Sequence, residues 1–510
     1  MRDATPLLRL YGWRRRRALE RQDPVATQER ELLRLVRRAA GTRFGRDHDF
    51  PRIASVADFQ ARVPLRRYED FWDQYWRRPF PRLDNVSWPG VVPYFAVTSG
   101  TTTGRTRYIP CTREMVRANQ RAAADVLVHH LARRPRSHVF GGRNFVLGGS
   151  TALVEEAPGV RSGDVSGIAA AEVPRWAKSR YFPPPELALI ADWEEKIARL
   201  GPLSLAEDIR SLSGTPSWLL VLLDALHALR PTSAGRLVDY FPRLELLVHG
   251  GVDFAPYRHR FAELLRGGHA ELREVYPASE GFIAVADQGP VDGLRAILDN
   301  GLFLEFVPVE ELDAAAPIRH WTATLEVGVN YAIALSSCAG AWAYLLGDTV
   351  RILSRDPTRL RITGRTAYML SAFGEHLIGE EIETAVAEAA SAIGGDVTDY
   401  AVGARYPARP GELGRHVFVV EFATPPPTEA VSRFARTIDR SLSATNDDYR
   451  AHRARGFGMA EPEVRPVPPG TFVQWMRARG QLGGQHKVPR VITEAELFAG
   501  LLRFIEERAA

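Results

Sequence analysis

Residues 91–110, VVPYFAVTSGTTTGRTRYIP, contain the strongest structural signal in the chain. An apolar run ends at a loop of hydroxyl-bearing residues and glycines, and a short β-like segment follows, so the loop is expected to join two strands. A long helix is predicted from about Thr112. The loop contains no Gly-Lys-Ser/Thr, and a strand rather than a helix follows it, which excludes a Walker P-loop.

The segments that follow extend this signal into a mixed α/β domain. Residues 242–251 (PRLELLVHGG) predict a buried strand that ends in a glycine pair, and a helix is expected over 257–266. Further strand-like runs lie at 272–276, 301–309, 324–337 and 342–353. Before residue 90 the chain predicts helices, and we interpret their apolar positions as core faces: Leu32, Leu33, Leu35, Val36, Phe71, Trp72, Tyr75 and Trp76.

After Ile362 the order of elements changes, and the connection TGRTAYMLSAFGE (363–375) leads into a second set. These elements are a helix at about 379–392, strands near 398–406 and 416–423, a helix from Thr428, a strand at 461–467 and a helix near 493–508. Together they predict a compact α+β unit of ordinary domain size. We therefore predict a large mixed α/β N-terminal domain over residues 1–364 and a smaller, mobile α+β C-terminal domain over residues 365–510.

The composition is that of a globular protein of 510 residues, with 45% hydrophobic and 25% charged residues, which excludes a disordered or low-complexity chain. The longest apolar runs are core-sized and too short to span a bilayer. Cys111 and Cys338 cannot form a disulfide framework and lack metal-ligand spacing. The N-terminus resembles neither a secretory nor a twin-arginine signal, so we expect a cytoplasmic protein.

The basic residues are almost all arginines, because the chain has 63 arginines and only three lysines, Lys178, Lys196 and Lys487. Such a bias replaces lysine wherever positive charge alone is needed, so a retained lysine is weak evidence that arginine would not serve there. Lys487 lies in the glycine-rich segment GQHKVPRV (484–491), and we predict a functional role for it. We interpret Lys178 and Lys196 as surface lysines.

Four short motifs carry candidate chemistry. In TSGTTTGRTR (98–107), hydroxyls, backbone N–H groups and glycines suit phosphate oxygens, although a polar hairpin loop has the same composition. In YPASEG (276–281), the tyrosine can stack on a purine and the carboxylate can hold a hard cation such as Mg²⁺. In YLLGD (344–348), an aspartate can bind a ribose diol, but Gly-Asp pairs are also common turns. GRTAYMLSAFGEHLIGEEIE (364–383) has the pattern of an interdomain hinge.

In this order, the motifs resemble those of adenylate-forming enzymes and, within them, the Gretchen-Hagen family of acyl acid amido synthetases, known from plants and bacteria. GTRFGRDHDF (41–50), VPLRRYED (63–70) and PGTFVQWM (469–476) are also similar to bacterial members, and the resemblance spans about residues 41–491. It implies two half-reactions. A carboxylate attacks the α-phosphate of ATP to give an acyl-adenylate and pyrophosphate, and a nucleophile then displaces AMP.

The resemblance also implies roles for individual residues. Glu280 is the implied Mg²⁺ ligand, and Lys487 is the implied catalytic cation at the developing negative charge. Two positions depart from the family, because Arg107 stands where its phosphate loop ends in lysine and Ala367 stands where the superfamily often has a hinge aspartate. The implied ATP-binding residues are Ser99, Gly100, Thr101, Thr102, Thr103, Gly104, Arg107, Gly251, Tyr276, Ser279, Glu280, Asp348, Arg365 and Lys487.

The acceptor separates the possible reactions. The family favours an amine, commonly an amino acid, which gives an amide, whereas coenzyme A would give a thioester. A nucleic-acid-binding protein is the non-enzymatic alternative for a basic chain, although the net charge is only +5 and no helix has a concentrated basic stripe.

By resemblance, the acid pocket draws on segments 119–130, 144–150 and 164–171. We interpret the histidines nearby, His129, His130 and His249, as structural rather than metal-binding. We expect a monomer that binds small-molecule substrates but neither nucleic acid nor a membrane.

Overall fold

The computed structural model divides the chain into two compact units. The first comprises residues 1–346 and 350–362, and the second comprises residues 347–349 and 363–510. The predicted domains over residues 1–364 and 365–510 stay predictions. The structure describes residues 3–99, 106–149, 151–190, 193–250, 254, 258–289, 292–312, 314–366, 370, 372, 377–406, 413–446, 449–450, 453, 459–479, 481 and 488–509.

The first unit combines helices and strands along its whole length. Its helices are α1 (Thr5–Glu20), α2 (Pro24–Ala39), α3 (Arg43–Asp47), α4 (Val56–Arg62), α5 (Tyr68–Phe71), α6 (Arg113–Arg133), α7 (Val165–Ala171), α8 (Arg175–Lys178), α9 (Pro185–Ala188), α10 (Trp193–Leu205), α11 (Pro216–Leu229), α12 (Leu237–Tyr240) and α13 (Arg258–Leu265). Its strands are β1 (Tyr94–Ser99), β2 (Thr106–Cys111), β3 (Arg143–Leu147), β4 (Leu153–Ala157), β5 (Val160–Gly163), β6 (Tyr181–Phe182), β7 (Ile209–Gly214), β8 (Leu246–Gly250), β9 (Glu271–Ala278), β10 (Gly281–Val285), β11 (Leu294–Ala296), β12 (Leu302–Pro308), β13 (Asn330–Ser337), β14 (Tyr344–Ser354) and β15 (Arg359–Arg365).

These strands form two sheets in the described part of the chain. The smaller has the order β2-β1-β5-β4, and the larger has the order β12-β13-β14-β15-β11-β10-β9-β8-β7-β3-β6. Within the larger sheet, β6, β3, β7, β8 and β9 run parallel, and β10 turns back antiparallel to β9. Because parallel strands joined by helices accompany antiparallel ones, the predicted mixed α/β class is confirmed.

The N-terminal helices begin and pack as their sequences dictate. Asp23 precedes α2 and accepts a hydrogen bond from the Ala26 N–H, while Pro24 occupies the first turn, where its missing N–H costs nothing. The predicted apolar faces are confirmed as core, since Leu32, Leu35, Val36, Phe71, Tyr75 and Trp76 are buried and Leu33 and Trp72 are half-buried. After Phe71 the helix widens into a π-turn over Trp72–Trp76.

The second unit is the predicted α+β arrangement. Its elements are α14 (Gly379–Ile393), β16 (Val397–Arg405), β17 (Arg415–Phe422), α15 (Thr428–Thr445), β18 (Glu463–Val467), α16 (Thr471–Ala478), β19 (Val491–Ile492) and α17 (Ala495–Ala509). The strands form a sheet of order β18-β17-β16-β19. Helices α14 and α15 pack on one face of this sheet and α16 and α17 on the other, giving two apolar layers.

Within the described residues, none of the helices combines the length and apolar character that crossing a bilayer requires. Cys111 and Cys338 are both buried free thiols. Burial raises the pKa of the Cys111 thiol to about 12, so it stays protonated and inert at neutral pH.

Candidate functional site

The hydroxyl- and glycine-rich loop joins two paired strands, as predicted. β1 and β2 are antiparallel, with Thr98 opposite Arg107 and Ser99 opposite Thr106. The loop itself, Gly100 to Arg105, lies outside the described residues, so the predicted phosphate contacts of Gly100, Thr101, Thr102, Thr103 and Gly104 stay predictions. Ser99 is described as the last residue of β1 only.

Arg107, the predicted cation at the end of this loop, contacts the start of α5. Its Nη2 atom lies 2.6 Å from the Oε1 atom of Glu69, and its guanidinium carbon lies 5.2 Å from the centre of the Tyr68 ring. The Tyr68 hydroxyl accepts a hydrogen bond from the Tyr108 N–H at 3.0 Å. The Arg107 Nε atom is buried and has no hydrogen-bond partner among the described residues.

Glu280 lies in the tight turn between β9 and β10. Ala278 pairs with Gly281, so Ser279 and Glu280 form a two-residue turn at the end of β9. Gly281 has a φ of 155°, and a Cβ there would lie 2.7 Å from the Leu302 side chain, so only glycine fits. Glu280 is 9% exposed, and the Tyr276 ring packs in the main core at 4% exposure.

The Tyr344 hydroxyl donates a hydrogen bond to the Glu280 carboxylate. Burial and the negative charge of Glu280 raise the pKa of Tyr344 well above its usual range, although Arg107 opposes the shift. The negative charge of Glu69 also raises the pKa of the Tyr344 hydroxyl. Glu69, Arg107, Glu280 and Tyr344 therefore form one electrostatic group, which we call the Glu280 cluster.

Sequence reasoning identified Arg107 and Glu280 but missed their partners. Glu69 lies within VPLRRYED and Tyr344 begins YLLGD, so both belong to motifs that were singled out for other reasons. Neither residue type marks a site by itself, and only the fold brings them together.

The carboxyl ends of four parallel strands meet at one edge of the large sheet. β3 ends at Leu147, β7 at Gly214, β8 at Gly250 and β9 at Ala278. Neighbouring strands are about 4.8 Å apart, so the end of β3 lies on the order of 14 Å from the Glu280 turn. Ligands bind at this edge of open α/β sheets, which makes it a candidate cleft.

The predicted positions at the end of β8 are described only in part. Gly251, a predicted ATP-binding residue, follows β8 in the sequence and lies outside the described residues. His249 is buried in β8, and its ring stacks on Phe254 with centroids 3.8 Å apart, which is a packing role.

Lys196 contradicts the interpretation of it as a surface lysine, because it is only 2% exposed. Its Nζ atom donates hydrogen bonds to the carbonyl oxygens of Gly148 at 3.1 Å and Gly149 at 2.8 Å, in the loop after β3. Burial lowers the pKa of Lys196, and Asp164 opposes the shift. Lys178 is exposed, as expected.

Gly148 and Gly149, which belong to the predicted pocket segment, are thus held from two sides. Lys196 on α10 binds their carbonyl groups, and a Cβ at Gly149 would lie 2.0 Å from the Asp164 carboxylate, so that carboxylate packs against Gly149. A site lined by this loop would have a rigid wall.

Asp348 lies within β14 rather than in a turn, so the turn interpretation of Gly347–Asp348 is wrong. Gly347 has a φ of 86°, a backbone conformation that suits glycine inside this strand. Residues 347–349 belong to the second unit, where the Thr349 hydroxyl contacts the Thr363 hydroxyl at 2.9 Å.

The hinge segment and the lysine loop are described only at their margins. Arg365 ends β15, and a Cβ at Gly364 would lie 3.3 Å from the Gly379 Cα. Ala367 and Lys487 lie outside the described residues, so their predicted roles stay predictions.

His129 and His130 lie on α6, where they were predicted as helix positions. The His130 ring contacts Glu271 at 2.8 Å through Nδ1 and the Ser137 hydroxyl at 2.9 Å through Nε2. Burial lowers the pKa of His129 to about 4, so this ring is neutral at pH 7. The hydrogen bonds of His130 and the burial of His129 are typical of structural histidines.

Three profiles of one family match the chain. The GH3 family N-terminal domain matches residues 17–198, the central domain matches 295–365 and the C-terminal domain matches 380–496. Glu69 and Arg107 lie in the first of these segments and Tyr344 lies in the second, whereas Glu280 lies between them.

Individual proteins are similar to this chain over different lengths. The chain is 28% identical over 256 residues to the probable indole-3-acetic acid-amido synthetase GH3.9 of Oryza sativa subsp. japonica, a match that covers 46% of this chain and 56% of the relative. The chain spans about half the length of the curated relatives it matches.

Solved structures are similar to nearly the whole chain. The GH3.15 acyl acid amido synthetase superposes with a TM-score of 0.76 at 19% identity, covering 94% of this chain and 93% of the other. A 2-hydroxyisobutyryl-CoA ligase in complex with 2-HIB-AMP superposes with a TM-score of 0.60 at 16% identity, covering 94% and 91%. The fold is therefore that of adenylate-forming enzymes.

Proposed function

Because the chain belongs to the GH3 family, we propose that it is a ligase that joins a carboxylic acid to an amine, with an amino acid as the expected acceptor. In the first half-reaction, a carboxylate oxygen attacks the α-phosphorus of ATP, the bond to pyrophosphate breaks, and an acyl-adenylate forms. In the second, the amine nitrogen attacks the acyl carbon, AMP leaves, and an amide forms as the amine loses a proton.

The observation that carries this proposal is the Glu280 cluster. In it, the Arg107 guanidinium and the buried Glu280 carboxylate both act electrostatically on the Tyr344 hydroxyl. Glu280 itself lies in the turn that follows the parallel strand β9. Both half-reactions move negative charge at phosphate, and such charge is stabilised by groups that are already in place. We assign Arg107 to a phosphate of ATP. Tyr344 stays protonated because of its raised pKa and orients Glu280 through its hydrogen bond.

Glu280 also fits the predicted role of a Mg²⁺ ligand. Mg²⁺ sites at nucleotides commonly use one or two carboxylates, with substrate phosphates and waters as the other ligands. Bound there, the ion would neutralise phosphate charge. The described residues contain no group of three or more His, Cys, Asp or Glu side chains that could hold a metal.

The remaining assignments rest on the family resemblance. Lys487 supplies a positive charge between the α-phosphate and the attacking carboxylate, and Asp348 and Arg365 bind the ribose. Ser279, Tyr276 and Gly251 border the nucleotide. The proposal includes a monomeric cytoplasmic enzyme with an N-terminal domain over residues 1–364 and a C-terminal domain from residue 365.

Isotope exchange between ATP and pyrophosphate, dependent on an added acid, tests the first half-reaction. A panel of aromatic and aliphatic carboxylic acids is screened with Mg²⁺, and AMP release is then measured with amino acids or with coenzyme A. We expect exchange with at least one acid and AMP release with an amino acid. Folded protein that binds ATP yet shows no exchange with any acid would overturn adenylation, and release with coenzyme A alone would replace the amide by a thioester.

A further inference from the structure

Arg107 is engaged by a side chain of the protein as well as being assigned to ATP. Its Nη2 atom contacts Glu69 Oε1 at 2.6 Å, the geometry of a charge-assisted hydrogen bond. A phosphate oxygen seeks the same guanidinium N–H groups as a carboxylate oxygen does. Binding of phosphate at Arg107 is therefore in competition with Glu69.

The ion pair between Glu69 and Arg107 is exposed enough for either residue to exchange its partner. The Glu69 side chain is 52% exposed and that of Arg107 is 22% exposed, so water can replace either partner. Ion pairs with such exposure are weak, because water solvates both charges and salt screens them. Only one guanidinium nitrogen binds Glu69, and Nε is left without a hydrogen-bond partner in the described chain.

The Arg107 guanidinium is also held in place by Tyr68, the residue before Glu69. The Tyr68 ring lies under it at 5.2 Å, and the Tyr68 hydroxyl is itself fixed by the Tyr108 N–H. The start of α5 is stabilised by the Arg67 N–H, which donates to the Asp70 carboxylate at 2.8 Å. Arg107 can therefore change its anionic partner while its position is kept.

We propose that Glu69 is a positioning residue that competes with ATP for Arg107, exchanging with a phosphate oxygen when nucleotide binds and returning when pyrophosphate leaves. This inference rests on the proposed function. Only hydrogen bonds change partners in the exchange. Glu69 thus weakens the binding of both ATP and pyrophosphate and keeps the first product from being retained.

The test compares nucleotide binding by the unchanged protein and by Glu69→Gln, which keeps the shape of the side chain and removes its charge. We expect Glu69→Gln to bind ATP about fivefold more tightly, the factor that an exposed ion pair supports. Inhibition by pyrophosphate should strengthen by a similar factor, so that the KM for ATP falls while kcat does not rise. Glu69→Asp keeps the charge and should behave like the unchanged protein.

Two further variants separate this role from a general effect of charge. In an Arg107→Met background, Glu69→Gln should leave ATP affinity unchanged, because the guanidinium for which Glu69 and ATP compete has been removed. Glu263→Gln removes a carboxylate from another exposed pair, in which Glu263 contacts Arg266 at 2.5 Å, and should also leave ATP affinity unchanged. Thermal melting of each variant checks that the fold is retained.

The outcomes are distinct. If the unchanged protein binds ATP and Glu69→Gln binds it no more tightly, the competition is overturned and the proposed function is untouched. Weaker binding by Glu69→Gln would overturn it too, because Glu69 would then be a ligand of the substrate or its metal. A tightening that persists in the Arg107→Met background would show that Glu69 does not act through Arg107. Failure of the unchanged protein to bind ATP would instead overturn the proposed function.

Discussion

Arg15 and Arg107 are both held by carboxylates, yet the two regions use the positive charge differently. On α1, the Arg15 guanidinium contacts Asp125 at 2.9 Å and 2.7 Å and Asp299 at 2.5 Å and 2.9 Å, so every nitrogen has a partner. Arg107 contacts Glu69 through one nitrogen only. A guanidinium whose nitrogens all bind carboxylates connects elements of the fold, whereas a guanidinium that binds a carboxylate through one nitrogen stays available to a substrate.

The electrostatics of Arg15 agree with a structural role. Burial lowers its pKa, but the hydrogen bonds that Arg15 donates to Asp299 and Asp125 outweigh burial and raise it overall. Its charge is therefore fixed in place by two carboxylates that pack beside it. If this contrast is correct, replacing Arg15 should mainly lower the stability of the fold, and replacing Arg107 should mainly impair substrate binding and catalysis.

The largest effect is expected at Lys487, the predicted catalytic cation. Lys487→Arg and Lys487→Ala should each lower acid-dependent ATP–pyrophosphate exchange by about 10³-fold, since a preorganised charge at the reacting phosphate contributes effects of this order. Arginine should not rescue, because its planar fork cannot occupy the position of a compact ammonium. Exchange rates and ATP affinity are measured for both variants.

Preformed acyl-adenylate supplies the control for Lys487. Both variants should still convert it to product at close to the normal rate and should melt at the normal temperature. An active Lys487→Arg variant, or equal losses in the two half-reactions, would remove Lys487 from the adenylation step.

The second effect tests the contrast directly. Arg15→Ala leaves two neighbouring carboxylates without their cation and should lower the free energy of unfolding by about 3 kcal/mol. Arg107→Ala should lower it by less than about 1 kcal/mol, as expected for a half-exposed pair, while weakening ATP binding. Urea unfolding and nucleotide titration of both variants measure the two quantities. Similar losses of stability in the two variants would abolish the distinction.

The third effect concerns the carboxylate of the Glu280 cluster. Glu280→Gln should lower Mg²⁺-dependent exchange by about 10²-fold, because the amide keeps a hydrogen bond with Tyr344 but loses the charge that a cation needs. Tyr344→Phe should lower it less, since it removes only the group that orients Glu280. Rates are compared over a series of Mg²⁺ concentrations, and a Glu280→Gln enzyme with normal Mg²⁺ dependence would exclude Glu280 as the ligand.

The smallest effect is a pH dependence from a structural group. Burial lowers the pKa of His129 to about 4, below the value of about 6.5 in an unfolded chain, so the unfolded state takes up a proton first. Stability from this group is complete above about pH 6.5 and is lost as the pH falls towards 4. The expected loss is about 2 kcal/mol between pH 7 and pH 4.5.

Urea unfolding at several pH values, with His129→Leu and His269→Asn as the pair of variants, measures this contribution. His129→Leu should flatten the acid limb of the stability profile. His269 is exposed, and its replacement should leave the profile unchanged. A profile that His129→Leu does not alter would assign the acid sensitivity to other groups.

Most of the fold could be predicted because local patterns determine it. The strands on either side of the glycine-rich loop, the buried strand that ends at Gly250 and the elements after Gly379 all follow from apolar runs and turn residues. The widening over Trp72–Trp76 was not predicted, since aromatic residues at helical spacing do not distinguish an α-turn from a π-turn.

The site could be predicted less completely because its partners come from distant parts of the chain. Glu69 and Arg107 are 38 residues apart, and Glu280 and Tyr344 are further apart still. Periodicity and turn chemistry carry no information on such pairs. Lys196 was misjudged for the same reason, since its carbonyl partners Gly148 and Gly149 lie on another element.

The burial of Lys196 has a consequence for how this chain can drift during evolution. Where a genome favours arginine, most lysines are replaced without loss, as the exposed Lys178 could be. At position 196 the replacement would force a wider, planar group into a space that holds one ammonium and two carbonyl oxygens. Purifying selection should therefore act on this codon to preserve the loop after β3. In arginine-rich proteomes, a rare lysine is accordingly as much a sign of a tightly built loop as of a catalytic group.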